Sequence, residues 1–397
     1  MVASRNVPVL LAACSFGVLG ACLTLPGTLL PILVEHFHLR LVEAGSMMAL
    51  QGVGYLFAVV AAPRLIGRFG MRSVLLAGLL IAGAGLIGFA RMTNWIGGAS
   101  TMFVVGVGFG AMEVTANTLL IAIGGERRAN LLNFTHLFFG VGSFVAPALT
   151  TRAVDAGISW QSVFLAAGVV TAGVGLGWRV LFAQAAVTAQ PDVAPQGHGA
   201  RRSPLVVLLA IALAAYVGAE IGIGGWLTKY MVSQHNVTLT YAGTVLSLYW
   251  LGMAGGRLAL TVLAHRVRDD LLLIGLAAFA TVAGIAALLA PGPVPAAVCF
   301  ALTGLGFSGI FPAAIALAGR CYPDDTAAVT STLIAGGAVG GISIPWIMSA
   351  IADGFGLVAG MSFYALMTAA VAALTIAIKL ALSREAPAAA ATALDAA

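Results

Sequence analysis

The segment Gly106-Val107-Gly108-Phe109 returns 198 residues later as Gly304-Leu305-Gly306-Phe307. The same offset aligns further positions without gaps. Gly20-Ala21 meets Gly218-Ala219, Gly27 meets Gly225, Gly54 meets Gly252, Arg68 meets Arg266 and Pro147 meets Pro345, while Gly140 finds no match. Single glycine matches are cheap in a chain with 50 glycines. One register shared by four pairs of segments is not, and it marks an internal repeat of about half the chain.

Composition says what kind of segment repeats. The chain has 397 residues, of which 60% are hydrophobic and 8% charged. A soluble domain carries about 25% charged residues. So few charges cannot solvate a water-facing surface of this size, which excludes an ordinary soluble enzyme, a nucleic-acid binder and a disordered chain. A mean hydropathy of +1.04 fits a polytopic membrane protein with short loops. A helical span uses roughly 20 apolar residues, so twelve spans would use roughly 240. Glycine also fits, because small residues let membrane helices approach closely. Continuous apolar runs argue against the alternating strands of a barrel.

Twelve helices are expected, at roughly 7–33, 42–64, 71–91, 97–123, 130–151 and 160–183, then 204–232, 238–264, 270–290, 293–319, 326–350 and 356–381. Residues 1–184 and 204–397 then form two six-helix bundles. The polar stretch 185–203, with Pro191, Asp192, Pro195 and Arg201-Arg202, joins them as a cytoplasmic linker. An offset of six helices preserves orientation, so the repeat is parallel about an axis along the membrane normal. With both termini inside, fifteen of the 19 Lys and Arg fall on the cytoplasmic side, Arg257 counted among them, and Arg40, Arg91, Arg152 and Lys229 outside. That is positive-inside asymmetry, and it requires an even number of spans.

Cys14, Cys22, Cys299 and Cys321 show no metal or redox spacing. Leu11-Ala12-Ala13-Cys14 resembles a lipoprotein cleavage box, but the apolar run before it is too short for a signal core. His36 and His38 read as a solvated loop pair. No metal cluster, phosphate loop or nucleophile triad is present, so neither an enzyme nor a cofactor is expected.

The repeat and the loop after helix 2 are similar to the major facilitator superfamily. That family carries a Gly-x-Leu-x-Asp-Arg-x-Gly-Arg-Arg-like pattern there. Here Pro63 to Arg72 keeps Leu65, Arg68, Gly70 and Arg72, with Pro63 replacing the first Gly and Gly67 the Asp. The resemblance implies conformational gating by Arg68 and Arg72. The stretches Gly106 to Asn117 and Leu131 to Gly142, with Tyr216-Val-Gly218-Ala-Glu220, Gly225-Trp226 and Tyr230, resemble the fucose-galactose-glucose:proton symporter group more narrowly. That implies a sugar-carrying symporter in a bacterial cytoplasmic (inner) membrane. One departure stands out. The fucose transporter has an Asn and an Asp in helix 1, whereas here that helix offers only Thr24 and Thr28.

An ionisable group inside a bilayer is a functional hypothesis by default. Glu113 and Glu220 are the acids well inside the expected spans. Desolvation penalises a carboxyl's charged form, so Glu113 is expected to carry the coupling proton, with Asn117 one turn on. The alternative is a hydrogen-bonded structural carboxyl. Glu220, one turn after Tyr216, is expected to be a second titrating group or an acceptor for a sugar hydroxyl, the alternative being a structural carboxyl paired with Lys229 or capped by backbone groups. Asn133 and His136 share a face of helix 5. Asn133 offers donor and acceptor to a polyhydroxy substrate, and His136 could relay a proton with Glu113. Sugar rings need a stacking aromatic beside polar groups. Trp226, Tyr249, Trp250, Phe138, Phe311 and Trp346 are candidates, with Gln51 and Ser247 as polar neighbours. Trp95 and Trp160 read as an interfacial belt.

The expectation is thus an all-α membrane protein, a monomeric secondary carrier of a hexose-like solute coupled to protons or sodium. Its partners are that small molecule, the ion and the lipid bilayer, and no nucleic acid. The alternatives are a proton-driven exporter of a drug or other metabolite, and a non-transporting membrane sensor.

Overall fold

The computed structural model describes residues 3–181, 203–263 and 267–395, and among these no strand occurs. The first half of the chain forms α1 (Ala3–Thr28), α2 (Leu30–His36), α3 (Leu41–Phe69), α4 (Met71–Phe89), α5 (Trp95–Gly124), α6 (Arg128–Asp155) and α7 (Trp160–Leu181). The second half forms α8 (Pro204–His235), α9 (Leu239–Leu263), α10 (Asp269–Leu288), α11 (Pro293–Phe307), α12 (Ile310–Cys321), α13 (Thr326–Phe355) and α14 (Leu357–Asp395). The expected linker lies outside the described residues apart from Ser203, as does Arg266. Among the described residues, eleven helical stretches are long and apolar enough to cross a membrane, α11 and α12 counting as one. Helix α9 is not among those eleven.

Two expected spans are broken, and proline accounts for both. Pro31 at the start of α2 has no N–H to give the Gly27 carbonyl. The Thr228 hydroxyl of α8 donates to that carbonyl instead. Pro312, in the first turn of α12, leaves the Ser308 carbonyl without a helical donor. Arg257 Nε of α9 reaches it at 3.4 Å, and Tyr216 donates to the neighbouring Phe307 carbonyl at 3.1 Å. In an apolar medium an unmet carbonyl is costly, so each break recruits a donor from a neighbouring helix.

The sequence repeat is a repeat of backbone contacts. Gly54 faces the Phe103 carbonyl, and Gly252 faces that of Ala301. Gly106 faces the Gln51 carbonyl, and Gly304 that of Tyr249. Gly108 lies on Ala82, and Gly306 on Ala280. Both members of every contact are related by the 198-residue offset. A Cβ at any of these glycines would collide with backbone. The helix pairs repeat too: α1–α6 with α8–α13, α3–α5 with α9–α11, and α4–α7 with α10–α14. Gly27 and its mate Gly225 touch each other where α1 meets α8, so the repeat axis runs through that contact.

Two aromatic assignments change. Trp160 is buried, not interfacial. It packs on Phe89, Phe164, Phe37 and the His36 ring, whose centroid is 5.1 Å away. His36 is exposed as expected, but it ends α2 instead of lying in a loop, and its ring edges this cluster.

Replacing Gly106 or Gly304 by Ala is expected to cost about 1–3 kcal/mol through overpacking. Gly275→Ala in α10, with nothing within 4 Å of the added methyl, should leave the melting temperature of the purified protein unchanged or higher. Equal effects at all three positions would contradict the packing account.

Candidate substrate cleft

The two halves meet along α6–α9, α3–α13 and α1–α8. The named contacts of the first two pairs gather at the end of the bundle remote from the chain termini. Leu41 N–H donates to Asp353 at 3.0 Å, and Arg40 lies 3.9 Å from the same carboxylate. Trp346 Nε1 donates to Ser46 at 3.2 Å. Thr240 donates to Asp155 at 2.5 Å, and Ala148 N–H to the Ser247 hydroxyl at 3.2 Å. Ser247 and Trp346, expected near substrate, are thus used in this seal. Glycines again permit it, Gly45 lying on Ser349 and Gly243 on Thr151.

Moving along α6 and α9 toward the termini, Gly140 faces Ala254 at 3.5 Å. The Phe139 and Trp250 rings meet edge-on nearby, with centroids 6.3 Å apart. One turn further, His136 is exposed and Arg257 is 41% exposed, within electrostatic reach of each other from opposite halves. These residues form the roof of a cleft that is sealed beyond them.

On the second half, Arg257 Nη2 stands 3.8 Å from Glu220 Oε1. Glu220 is 14% exposed and has the Tyr216 hydroxyl beside it. Tyr249 donates to the Glu220 backbone carbonyl at 3.0 Å. Glu220 therefore pairs with Arg257 and not with Lys229. Arg257, counted from sequence as a cytoplasmic charge, is an intramembrane residue. Its place in the expected span 238–264 is the signal that identifies it, and a tally of charges by side hides that signal.

On the first half, the Tyr55 hydroxyl of α3 lies beside the Glu113 carboxyl. Asn117 is half-buried, and its Oδ1 has no partner among the described residues. Gln51 Nε2 and Trp250 Nε1 are likewise buried without partners. Glu113 and His136 are not brought together: His136 packs on Phe16, with ring centroids 4.7 Å apart, and its charged neighbour is Arg257. Asn133 is exposed on the His136 face. Trp226 and Tyr249 are fully enclosed in this conformation. Arg68 lies over the Phe69 ring at 5.3 Å. Arg72 caps carbonyls at the end of α7, Trp178 O at 3.3 Å and Arg179 O, where a cation meets the negative end of the helix dipole. Among the described residues no group of three or more metal-ligating side chains occurs.

A family model described as Major Facilitator Superfamily matches residues 12–297 and 209–396. The chain belongs to the major facilitator superfamily. It is an integral membrane transporter of that family and not an enzyme. The glucose/mannose transporter GlcP of Bacillus subtilis is 24% identical over 333 residues, covering 81% of this chain and 82% of GlcP. Among solved structures, the nucleoside transporter NupG superposes with a TM-score of 0.75 at 12% identity, covering 95% of this chain and 98% of that one. FucP in its outward conformation gives 0.62 at 20% identity, covering 94% and 99%. These likenesses to solved structures establish the fold.

The facilitator's seal can be trapped chemically. With Cys14, Cys22, Cys299 and Cys321 replaced, Thr151→Cys with Gly243→Cys should crosslink rapidly under mild oxidation. A pair that crosslinks no faster than two cysteines on the cleft rims would contradict the closed end.

Proposed function

We propose that this facilitator carries a small polar, hexose-like solute by alternating access, driven by protons bound at Glu113. The observation that carries the reading is the cleft roof itself. Intramembrane polar groups from both halves converge there, while the opposite end is sealed. Basic residues concentrate at the cleft end, including Arg64, Arg68, Arg72, Arg127, Arg128, Arg179, Arg268, Arg320 and Lys379. By the positive-inside rule that end is cytoplasmic, so the conformation is inward-facing and both termini are inside. A bacterial inner membrane and a monomeric carrier fit this arrangement.

Each residue has a task that follows from its surroundings. Glu113, beside Tyr55, accepts a proton and so removes a buried charge before the halves rock. Gln51, Asn117 and Asn133 supply donors and acceptors for hydroxyl groups, and Gln51 and Asn117 each have an unmet valence. Trp250, edge-on to Phe139, offers an apolar face beside them. Glu220 binds solute from the second half, and Trp226 and Tyr249 buttress it. His136 is within reach of any proton or hydroxyl that enters the cleft. Arg68 and Arg72 gate the cytoplasmic end, Arg72 by fixing α4 to α7. The similarity to GlcP supports a sugar as solute, and the unmet amide groups favour it over an apolar drug.

The test is uptake of radiolabelled hexoses into proteoliposomes under an imposed pH gradient. Wild type should accumulate one hexose. Glu113→Gln should lose at least about tenfold of gradient-driven uptake, the rough scale of an essential proton carrier, and keep solute counterflow. Accumulation that persists undiminished in Glu113→Gln would overturn the coupling assignment.

A further inference from the structure

The cleft roof holds one feature that a neutral sugar does not require. Arg257 is a guanidinium inside the membrane whose measured oxygen partners are long, with the Tyr216 hydroxyl also beside it. Glu220 is at 3.8 Å, the Ser308 carbonyl at 3.4 Å and the Met253 sulfur at 3.5 Å. A planar guanidinium has five N–H donors arranged to match a carboxylate bidentately at about 2.8 Å. Here that fork is only loosely filled, and it is open to the cleft. Across the cleft stands His136, a second hydrogen-bonding group within electrostatic reach of Arg257. The 198-residue repeat places Cys22 and Val59 opposite Glu220 and Arg257, so the pair has no structural twin in the first half. The repeat contacts therefore do not explain why it is there.

We propose that the carried solute is anionic, a small hydroxylated monocarboxylate whose carboxylate replaces Glu220 as the partner of Arg257. This rests on the carrier reading above and names its substrate class. Glu220 takes up one proton from water and becomes neutral, which frees the guanidinium. The solute's carboxylate then fills the fork, and the net charge of the cluster is restored. His136 closes on the same carboxylate from the other half, so an occupied site draws the halves together. An anion thus enters with one proton more than a neutral solute would, and the charge moved per cycle is unchanged.

The groups facing Glu220 are few. Arg257 and Tyr249 come from α9 and Tyr216 from α8, while Tyr364 of α14 lies beside Tyr249 and His136 faces Arg257 from across the cleft. Other charged groups on the packed helices are engaged elsewhere, Arg320 by Asp269 and Asp353 by Arg40. Glu220 and His136 are thus the titratable groups that face Arg257, one from each half. Protonating either one favours an anion.

The experiment measures equilibrium binding of radiolabelled D-gluconate, D-glucuronate and D-glucose to the purified full chain at pH 5.5 and 7.5. Hexose counterflow is followed in the same preparation. One of the two anions should bind wild type at least about tenfold more tightly at pH 5.5, the scale of a single proton linked over two pH units. Glu220→Gln should lose most of that pH dependence, and Arg257→Gln should lose the binding. Arg257→Lys keeps the charge and should weaken binding by a smaller factor, provided its melting temperature matches wild type. If neither anion binds while glucose counterflow proceeds, the anion proposal is overturned and the carrier reading stands. Anion binding that is undiminished in a folded Arg257→Gln also overturns it. If nothing binds or exchanges, the carrier reading falls with it.

Discussion

Everything in this fold depends on helices approaching backbone to backbone at glycine. In a bilayer there is no hydrophobic drive between helices, so association relies on close packing. Six glycines on three offset pairs each press against a specified stretch of a neighbouring helix, and the neighbours repeat by the same 198 residues. Within each half this leaves little room for adjustment, so a half can move only as a unit. Between the halves the contacts are of a different kind. They are hydroxyls, amides and carboxylates at the sealed end, together with the single glycine pair Gly27–Gly225 on the axis. Such contacts break and re-form at small cost, as alternating access requires.

The second constraint is that no backbone group can be left unpaired in hydrocarbon. The breaks before Pro31 and Pro312 each free a carbonyl, and each is met by a side chain from a neighbouring helix. The donor at the second break is Arg257. One residue therefore repairs the α11–α12 junction, balances Glu220 and faces His136. Structural and functional demands converge on it. Removing its charge exposes a carboxyl and a carbonyl together, which is why the lysine variant is the informative one.

Much of the fold is legible in the sequence because the relevant physics is periodic. Span number, the parallel repeat and helix positions follow from apolar runs and a glycine register, and most helix ends differ by only a few residues, the exception being α14, which runs past its expected end at 381 to Asp395. The breaks at Leu29 and Ser308–Gly309 do not follow from the sequence, although Pro31 and Pro312 are visible there. Proline does not always break a membrane helix, since α6 runs on through Pro147. For the site, Glu113 and Glu220 stand out because acids in apolar runs are rare. Their partners do not, since Tyr55 and Arg257 lie on other helices and sequence spacing says nothing of contacts between helices. Trp160 reads wrongly as interfacial because an aromatic at a helix start looks alike whether it faces headgroups or a packed cluster.

The central claim is that one pair of rigid halves opens at one end only when it closes at the other. Spin labels measure this directly by dipolar distance in proteoliposomes. One pair would be placed at Asn130 and Asp324 on the rims of the cleft, the other at Ser159 and Gln234 beside the seal, all exposed positions. As pH and transported solute are varied, the rim distance should shorten in the same population in which the seal distance lengthens. Distances that stay fixed under every condition, or that change in the same sense at both ends, would contradict the account.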